Sequence, residues 1–290
     1  MKKIAILGCE NSHANSFLKF IKEKEEFSDI EVVGVYSDDI EAAEKLKAEF
    51  GVEILDNYTD AVGKIDGLVV TARHGDNHYK YAKPYIASGI PMFIDKPITV
   101  SEEEAVTFMR ELRENGVRFS GGSSLKEADL IIDLKEKAAK LEGGKTVGGA
   151  VRAPVTLTND YGGFYFYAQH LVEMVCEVFG KYPKSVSTFK TDDTITVIFR
   201  YGEYDVTGLF CEKMYTYYAV RYAEKESQGG IVDISGKGIF YREFAEFYKL
   251  LDGGEQQVSY DDFISPVFIM NAIERSMING KEEPIREYKV

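Results

Sequence analysis

Cysteine is scarce in this chain: Cys9, Cys176 and Cys211 are its only three, widely spaced and with no Cys-x-x-Cys pair. That excludes a disulfide framework and a zinc knuckle, and it suits a reducing compartment. Positive charge is also in short supply, with 35 Lys and Arg against 48 Asp and Glu, for a net charge of −13. A chain this acidic is a poor partner for a nucleic-acid backbone or an anionic membrane. A small anionic ligand is still admissible, because a glycine turn and a helix N-terminus can hold phosphate locally. Long apolar runs are missing: none approaches the ~20 residues of a membrane span, and the apolar start at residues 4–7 is too short for a signal-sequence core. A soluble, cytoplasmic protein is expected. Proline is sparse, seven in all, and no linker or repeat appears, so the parts of the chain should be tightly joined.

What is present is a change of pattern near residue 122. Over residues 1–122, short apolar runs at 4–7, 32–36, 67–70, 92–94 and 117–120 alternate with amphipathic stretches at 14–26, 40–50, 79–88 and 101–115. Unbroken apolar runs suit strands covered on both faces, and their alternation with helices predicts a doubly wound parallel sheet of the Rossmann kind. Ser101 and Glu104 form a capping box, and Asn115-Gly116 is a helix stop. Residues 123–290 read differently. A helix is expected over 124–141, then alternating strands at 146–157, 185–190, 194–201, 205–211 and 217–223, with helices at 167–179, 241–251 and 266–279. This predicts an α+β domain built on a mostly antiparallel open sheet, for substrate binding and oligomerisation. At 290 residues the chain suits these two domains.

Candidate chemistry gathers where strands end. The first strand runs into Gly8-Cys9-Glu10-Asn11-Ser12-His13. Gly8 can make the tight turn of a dinucleotide site, and Asn11 and Ser12 are good helix caps. Glu10 and His13, however, stand where the second and third glycines of G-x-G-x-x-G would be, and a carboxylate there repels phosphate unless it is turned away. After the second strand, Ser37 and Asp38 are candidates for the adenosine ribose, which leaves NAD and NADP both open; capping of the next helix is the plain alternative. Thr71, Arg73, His74 and His78 follow the run at 67–70. Two histidines without further ligands do not make a metal site. Asp95-Lys96-Pro97 ends the run at 92–94 and fixes a lysine that could polarise a substrate oxygen. Tyr167, His170 and Glu173 share one helical face, placing a proton-transfer group beside a phenol and a carboxylate.

Taken together, these spacings resemble the glucose–fructose oxidoreductase/inositol dehydrogenase family, known as Gfo/Idh/MocA. Asp95-Lys96-Pro97 matches the family's Glu-Lys-Pro, with His78 seventeen residues ahead of Asp95 and Gly89 between. His170 matches the histidine of the family's Asp-x-Gly-x-His-x-x-Asp, and Gly180 the glycine closing that helix. Phe244, Asp252-Gly253 and the stretch from Ala272 to Ser276 look like the family's last two helices, so the likeness covers nearly the whole chain. The resemblance implies a catalytic pair of Lys96 and His170, the lysine orienting the reacting oxygen and the histidine moving the proton. It implies a nicotinamide cofactor, NAD or NADP, bordered by Gly8, Asn11, Ser12, Ser37, Asp38, Thr71, Arg73, His78, Asp95 and Lys96. A small polar substrate, a sugar or polyol, is expected in a pocket between the domains lined by Lys96, Lys126, Tyr165, Tyr167 and His170, with Glu173 assisting.

The departures bear on turnover. Phe166 replaces the family's aspartate four residues before the histidine, Ala168 its glycine, and Glu173 its second aspartate, while Arg73 stands where proline is common. The leading expectation is an NAD(P)-dependent dehydrogenase or reductase. A non-catalytic ligand-binding or sensor protein on the same fold is the alternative, and a lyase or hydrolase that holds NAD for a transient oxidation is a third. Tyr215, Tyr217, Tyr218 and Tyr222 suggest an aromatic sheet face that pairs subunits, predicting a homodimer or homotetramer.

Overall fold

The computed structural model describes residues 1–235 and 238–290. The apolar runs of the first part become five parallel strands: β1 (Lys2–Leu7), β2 (Ile30–Tyr36), β3 (Gly67–Val70), β4 (Met92–Asp95) and β5 (Phe119–Gly122), in sheet order β2-β1-β3-β4-β5. Every residue of β3 and β4 is buried, as expected of strands covered on both faces. The connecting helices are α1 (Ser12–Glu23), α2 (Ile40–Phe50), α3 (Asp76–Ile86) and α4 (Glu102–Glu114). The cap of α4 is the expected one, Ser101 Oγ accepting from the Glu104 amide at 3.3 Å. Helix α3 begins earlier than the amphipathic pattern suggested, at Asp76 rather than near 79.

The second sheet has seven strands: β6 (Thr146–Val155), β7 (Ser185–Lys190), β8 (Thr194–Arg200), β9 (Asp205–Glu212), β10 (Tyr217–Ala223), β11 (Ser227–Val232) and β12 (Glu283–Pro284). Their order is β11-β10-β6-β9-β8-β7-β12, antiparallel throughout except that β6 and β9 run parallel. Helices α5 (Asp129–Ala139), α6 (Tyr165–Phe179) and α8 (Tyr260–Asn279) cover one face of this sheet. Three expectations need correction. The helix expected over 124–141 is broken into a 3₁₀ turn, Ser124–Glu127, and α5, because Ala128 between them is extended with ψ 137°. Strand β11 was not expected, since its glycines hide the alternation. The last helix begins at Tyr260, not at Pro266: Ser259 caps it by accepting from the Asp262 amide at 3.0 Å, and Pro266 lies inside it.

The core of the first sheet draws on residues from the second part of the chain. Helix α7 (Gly238–Leu251) returns to the first sheet, where Phe244 and Phe247 pack among Phe17, Phe27 and Phe93. Phe263, Ile264, Val267 and Phe268 of α8 do the same on its other face, beside Phe108 and Phe119. Residues far beyond 123 thus complete the parallel domain and hold both sheets around the carboxyl ends of β1–β5.

Candidate active site

Lys96 follows directly on β4, at the carboxyl end of the sheet, and leads into a cis Lys96–Pro97 bond. Its side chain is buried, donating from Nζ to the Phe166 carbonyl at 3.0 Å. The Phe166 ring lies 4.5 Å from the ammonium and the Tyr167 ring 5.5 Å, so aromatic faces wall the cation in. Burial pushes the Lys96 pKa down, and the nearby Arg73 charge pushes in the same direction. Phe166 and Tyr167 open α6, and one turn on the same helix carries His170. That ring is also buried; burial first and the Lys96 charge second push its pKa well below the ordinary value, so the imidazole is neutral near pH 7. Its Nδ1 meets Ser123 Oγ at 2.6 Å, and this contact fixes the ring and leaves Nε2 for other chemistry.

Glu173, one further turn along α6, lies behind the histidine. It accepts from the Ser123 amide and from Gln169 Nε2, both at 2.9 Å, and burial raises its pKa. Gly122 makes this approach feasible: at φ +85° it is in glycine's territory, and an added Cβ would stand 2.6 Å from Glu173 Oε1. Lys126 donates to the Gly121 carbonyl and comes to 4.0 Å from Glu173. These two residues line a cavity of about 540 Å³ between the sheets, together with Ser120 and Glu243. Lys96, Tyr167 and His170 are not among its lining residues, so the residues expected in one pocket fall into two parts, those that line this cavity and those outside it. Tyr165 is not in either part: it is buried in the core and its hydroxyl donates to Glu274 at 2.8 Å. Tyr167 and Tyr217 do stand beside His170, their ring centroids 5.8 and 6.0 Å from it.

The residues expected around a cofactor fall into two groups. Facing the sheet's carboxyl edge are Gly8, Asn11, Ser12, Ser37, Asp38, Thr71 and Arg73. Gly8 has φ +77°, and a Cβ there would stand 2.4 Å from the Ala72 backbone, which explains why only glycine fits. Thr71 Oγ1 donates to the Gly8 carbonyl at 3.0 Å and Asn11 caps α1, while Ser12 is exposed at the helix start. Arg73 reaches across to Tyr161, donating to its hydroxyl at 3.1 Å. Asp38 accepts from Tyr36 and Tyr81 at 2.6 and 2.8 Å, and the Tyr36 hydrogen bond helps hold its pKa down. The carboxylate that caps α2 is Asp39. Behind this edge lie His78 and Asp95, both fully buried and acting as struts. The His78 nitrogens meet the carbonyls of Pro97 at 2.7 Å and Ala72 at 2.8 Å, clamping the Lys96 turn to the loop after β3.

Asp95 belongs to a buried charge cluster that sequence reasoning missed. It accepts from Asn11 Nδ2 at 2.7 Å and pairs with His13 Nδ1 at 3.1 Å, while His13 Nε2 pairs with Glu243 of α7 at 3.2 Å. Burial alone would lower the His13 pKa, but Asp95 and then Glu243 raise it to about 10. Burial lifts Glu243 to about 7 even against that pull, and its Oε1 has no hydrogen-bond partner among the described residues. Glu243 lies 230 residues from His13, and no local signal joins them. Among the described residues no group of three His, Cys, Asp or Glu side chains is arranged to hold a metal ion.

The glycine cradle, the helix start beside it and the strand-end donors fit a dinucleotide, with Glu10 and His13, in place of the second and third glycines, as departures. The fold and this edge define an NAD-binding Rossmann oxidoreductase framework. Residues 2–123 match the Gfo/Idh/MocA family model, described as "Oxidoreductase family, NAD-binding Rossmann fold", so this part of the chain is similar to that family. Solved structures similar over the full length include myo-inositol dehydrogenase from Corynebacterium glutamicum (16% identity, TM-score 0.83, covering 99% of this chain and 100% of that one). Myo-inositol 2-dehydrogenase from Lactobacillus plantarum is similar at 16% identity and TM-score 0.84, with 98% and 99% of the two chains covered. Scyllo-inositol dehydrogenase from Lactobacillus casei, solved with NAD(H) and scyllo-inositol, is similar at 14% identity and TM-score 0.84 over 98% and 99%. No curated protein matches by sequence.

Proposed function

We propose that this protein is an NAD(P)-dependent oxidoreductase that interconverts a hydroxyl and a carbonyl group on a small sugar- or polyol-like compound. The observation that carries this reading is the convergence of buried Lys96 and neutral His170 over the carboxyl edge of a dinucleotide-type sheet. Gly8, Ser12, Thr71 and Arg73 would hold the cofactor, which when bound supplies the hydride acceptor or donor. In the oxidation direction Lys96 exchanges the Phe166 carbonyl for the substrate oxygen and stabilises the charge that develops on it. His170 takes the hydroxyl proton on the nitrogen that Ser123 leaves free, and its depressed pKa keeps it a base at neutral pH. Tyr167 and Tyr217 supply apolar walls against a ring face. Structures of similar fold bear the names of inositol dehydrogenases, one of them solved with scyllo-inositol, which supports the polyol class.

The test begins with fluorescence titration of NADH and NADPH, followed by a sugar and polyol panel on wild type and Lys96→Met. Turnover should fall by about 10²–10⁴-fold in the variant. Equal activity removes Lys96 from the mechanism, and absence of binding by both nucleotides removes the reading itself. One observation favours a non-catalytic ligand-binding protein instead: Lys96 is already engaged by the Phe166 carbonyl and ring, where the family has an aspartate side chain. Nucleotide binding with no turnover across the panel would select that reading.

A further inference from the structure

Glu10 sits in the turn after β1, at the position where a dinucleotide fold ordinarily has its second glycine, and its side chain is not turned away to solvent. Oε2 accepts from Ser37 Oγ, just beyond β2, at 2.6 Å. Oε1 accepts from the Arg73 amide, beyond β3, at 2.9 Å. Because β1 lies between β2 and β3 in the sheet, the carboxylate forms a crossbar over the ends of three adjacent strands. Ligands of open α/β sheets bind at this edge, with the ribose and pyrophosphate of a dinucleotide on the strand-end donors and the first helix N-terminus. Glu10 takes up two of those donors. Its partners are a hydroxyl and an amide, both uncharged, and these contacts hold a carboxylate in the place a pyrophosphate must approach. Hydrogen bonds to an ionised acceptor are among the stronger ones, so the crossbar resists displacement.

We propose that Glu10 is an internal competitor of the dinucleotide: it holds the ribose–pyrophosphate place in the free protein and must swing out for NAD(H) to enter. This rests on the dinucleotide reading above, and it makes Glu10 the residue that sets cofactor affinity. The alternative role for the same carboxylate is as a ribose ligand, accepting from the ribose hydroxyls in place of an acid at the end of β2. The two roles predict opposite signs.

The experiment is calorimetric titration of NADH into wild type, Glu10→Gln and Glu10→Ala, with thermal melts of each to establish folding. Glu10→Gln is nearly isosteric and can keep both contacts without the charge, so it reports even if Glu10→Ala folds poorly. Both variants should bind NADH more tightly than wild type, by about tenfold or more, with Glu10→Ala the tighter because the crossbar itself is gone. Equal or weaker binding in both variants overturns the proposal and leaves the dinucleotide reading standing, and weaker binding assigns Glu10 to the ribose. If no form binds NADH or NADPH even at millimolar concentration, the dinucleotide reading falls and the competitor role with it.

Discussion

At the scale of single residues, His13 has turned a position usually kept for glycine into a charged joint between the first helix and α7. Its imidazole bridges Asp95 and Glu243, both buried, so the loop that carries Lys96 is tied to a helix from the far end of the chain. The linkage has a definite sign. The folded His13 pKa is about 10 against an ordinary 6.5, so the stability it contributes is complete below pH 6.5 and is lost as pH rises towards 10. Glu243, lifted from 4.5 to about 7, acts in the same sense: the folded protein binds its proton more readily, and that contribution fades between pH 4.5 and 7. Urea denaturation of wild type should therefore show the unfolding free energy falling between pH 7 and pH 10, by on the order of 3 kcal/mol. In His13→Gln the same pH range should be nearly flat, with lower stability at pH 7. A wild-type curve as flat as the variant's would show that His13 is not protonated in the fold.

At the scale of elements, α6 decides what the site can do, because Lys96, Ser123 and the cavity beyond all meet it. Its seat depends on the end of β5, where Gly122 admits the Glu173 carboxylate. Gly122→Ala should cost about 2 kcal/mol or more, since both the positive φ and the contact with Glu173 resist a Cβ. Because Ser123 is the next residue and holds His170, turnover should fall further than the lost stability explains; a variant destabilised yet fully active at saturating substrate refutes the coupling. The five parallel strands, α4 and the placement of Lys96 and His170 on their elements were legible in the sequence, because each rests on a local signal: an unbroken apolar run, a capping box, a motif at fixed spacing. What was not legible depends on contacts between distant residues. The burial of Tyr165 against Glu274 and the pairing of His13 with Glu243 leave no trace in spacing. The start of α8 was misplaced because proline favours a first helical turn, whereas Ser259 supplies the actual cap.

At the scale of the whole molecule, one surface is left uncovered. Helices α5, α6 and α8 pack on one face of the seven-stranded sheet, and the other face presents Tyr218, Tyr222 and Ile231, which are 38%, 41% and 69% exposed. Tyr218 and Ile231 are directly paired across β10 and β11, so they form a patch and not scattered single residues. Tyr217, grouped with them on sequence, is instead buried beside His170: strand alternation sends neighbouring tyrosines to opposite faces. The patch is thus narrower than the tyrosine count suggested, but it lies on a broad sheet face of the kind that pairs with a second copy by two-fold symmetry. Light scattering coupled to size exclusion should give a dimer or tetramer at micromolar concentration. The double variant Tyr218→Glu, Ile231→Lys should give a monomer with near wild-type secondary structure, because neither side chain contributes to the core. A wild-type monomer would leave the open face without a self-partner. An oligomer that survives the double variant would place the interface elsewhere, and Tyr215, 64% exposed and 6.2 Å from Tyr167, would then be the next position to charge.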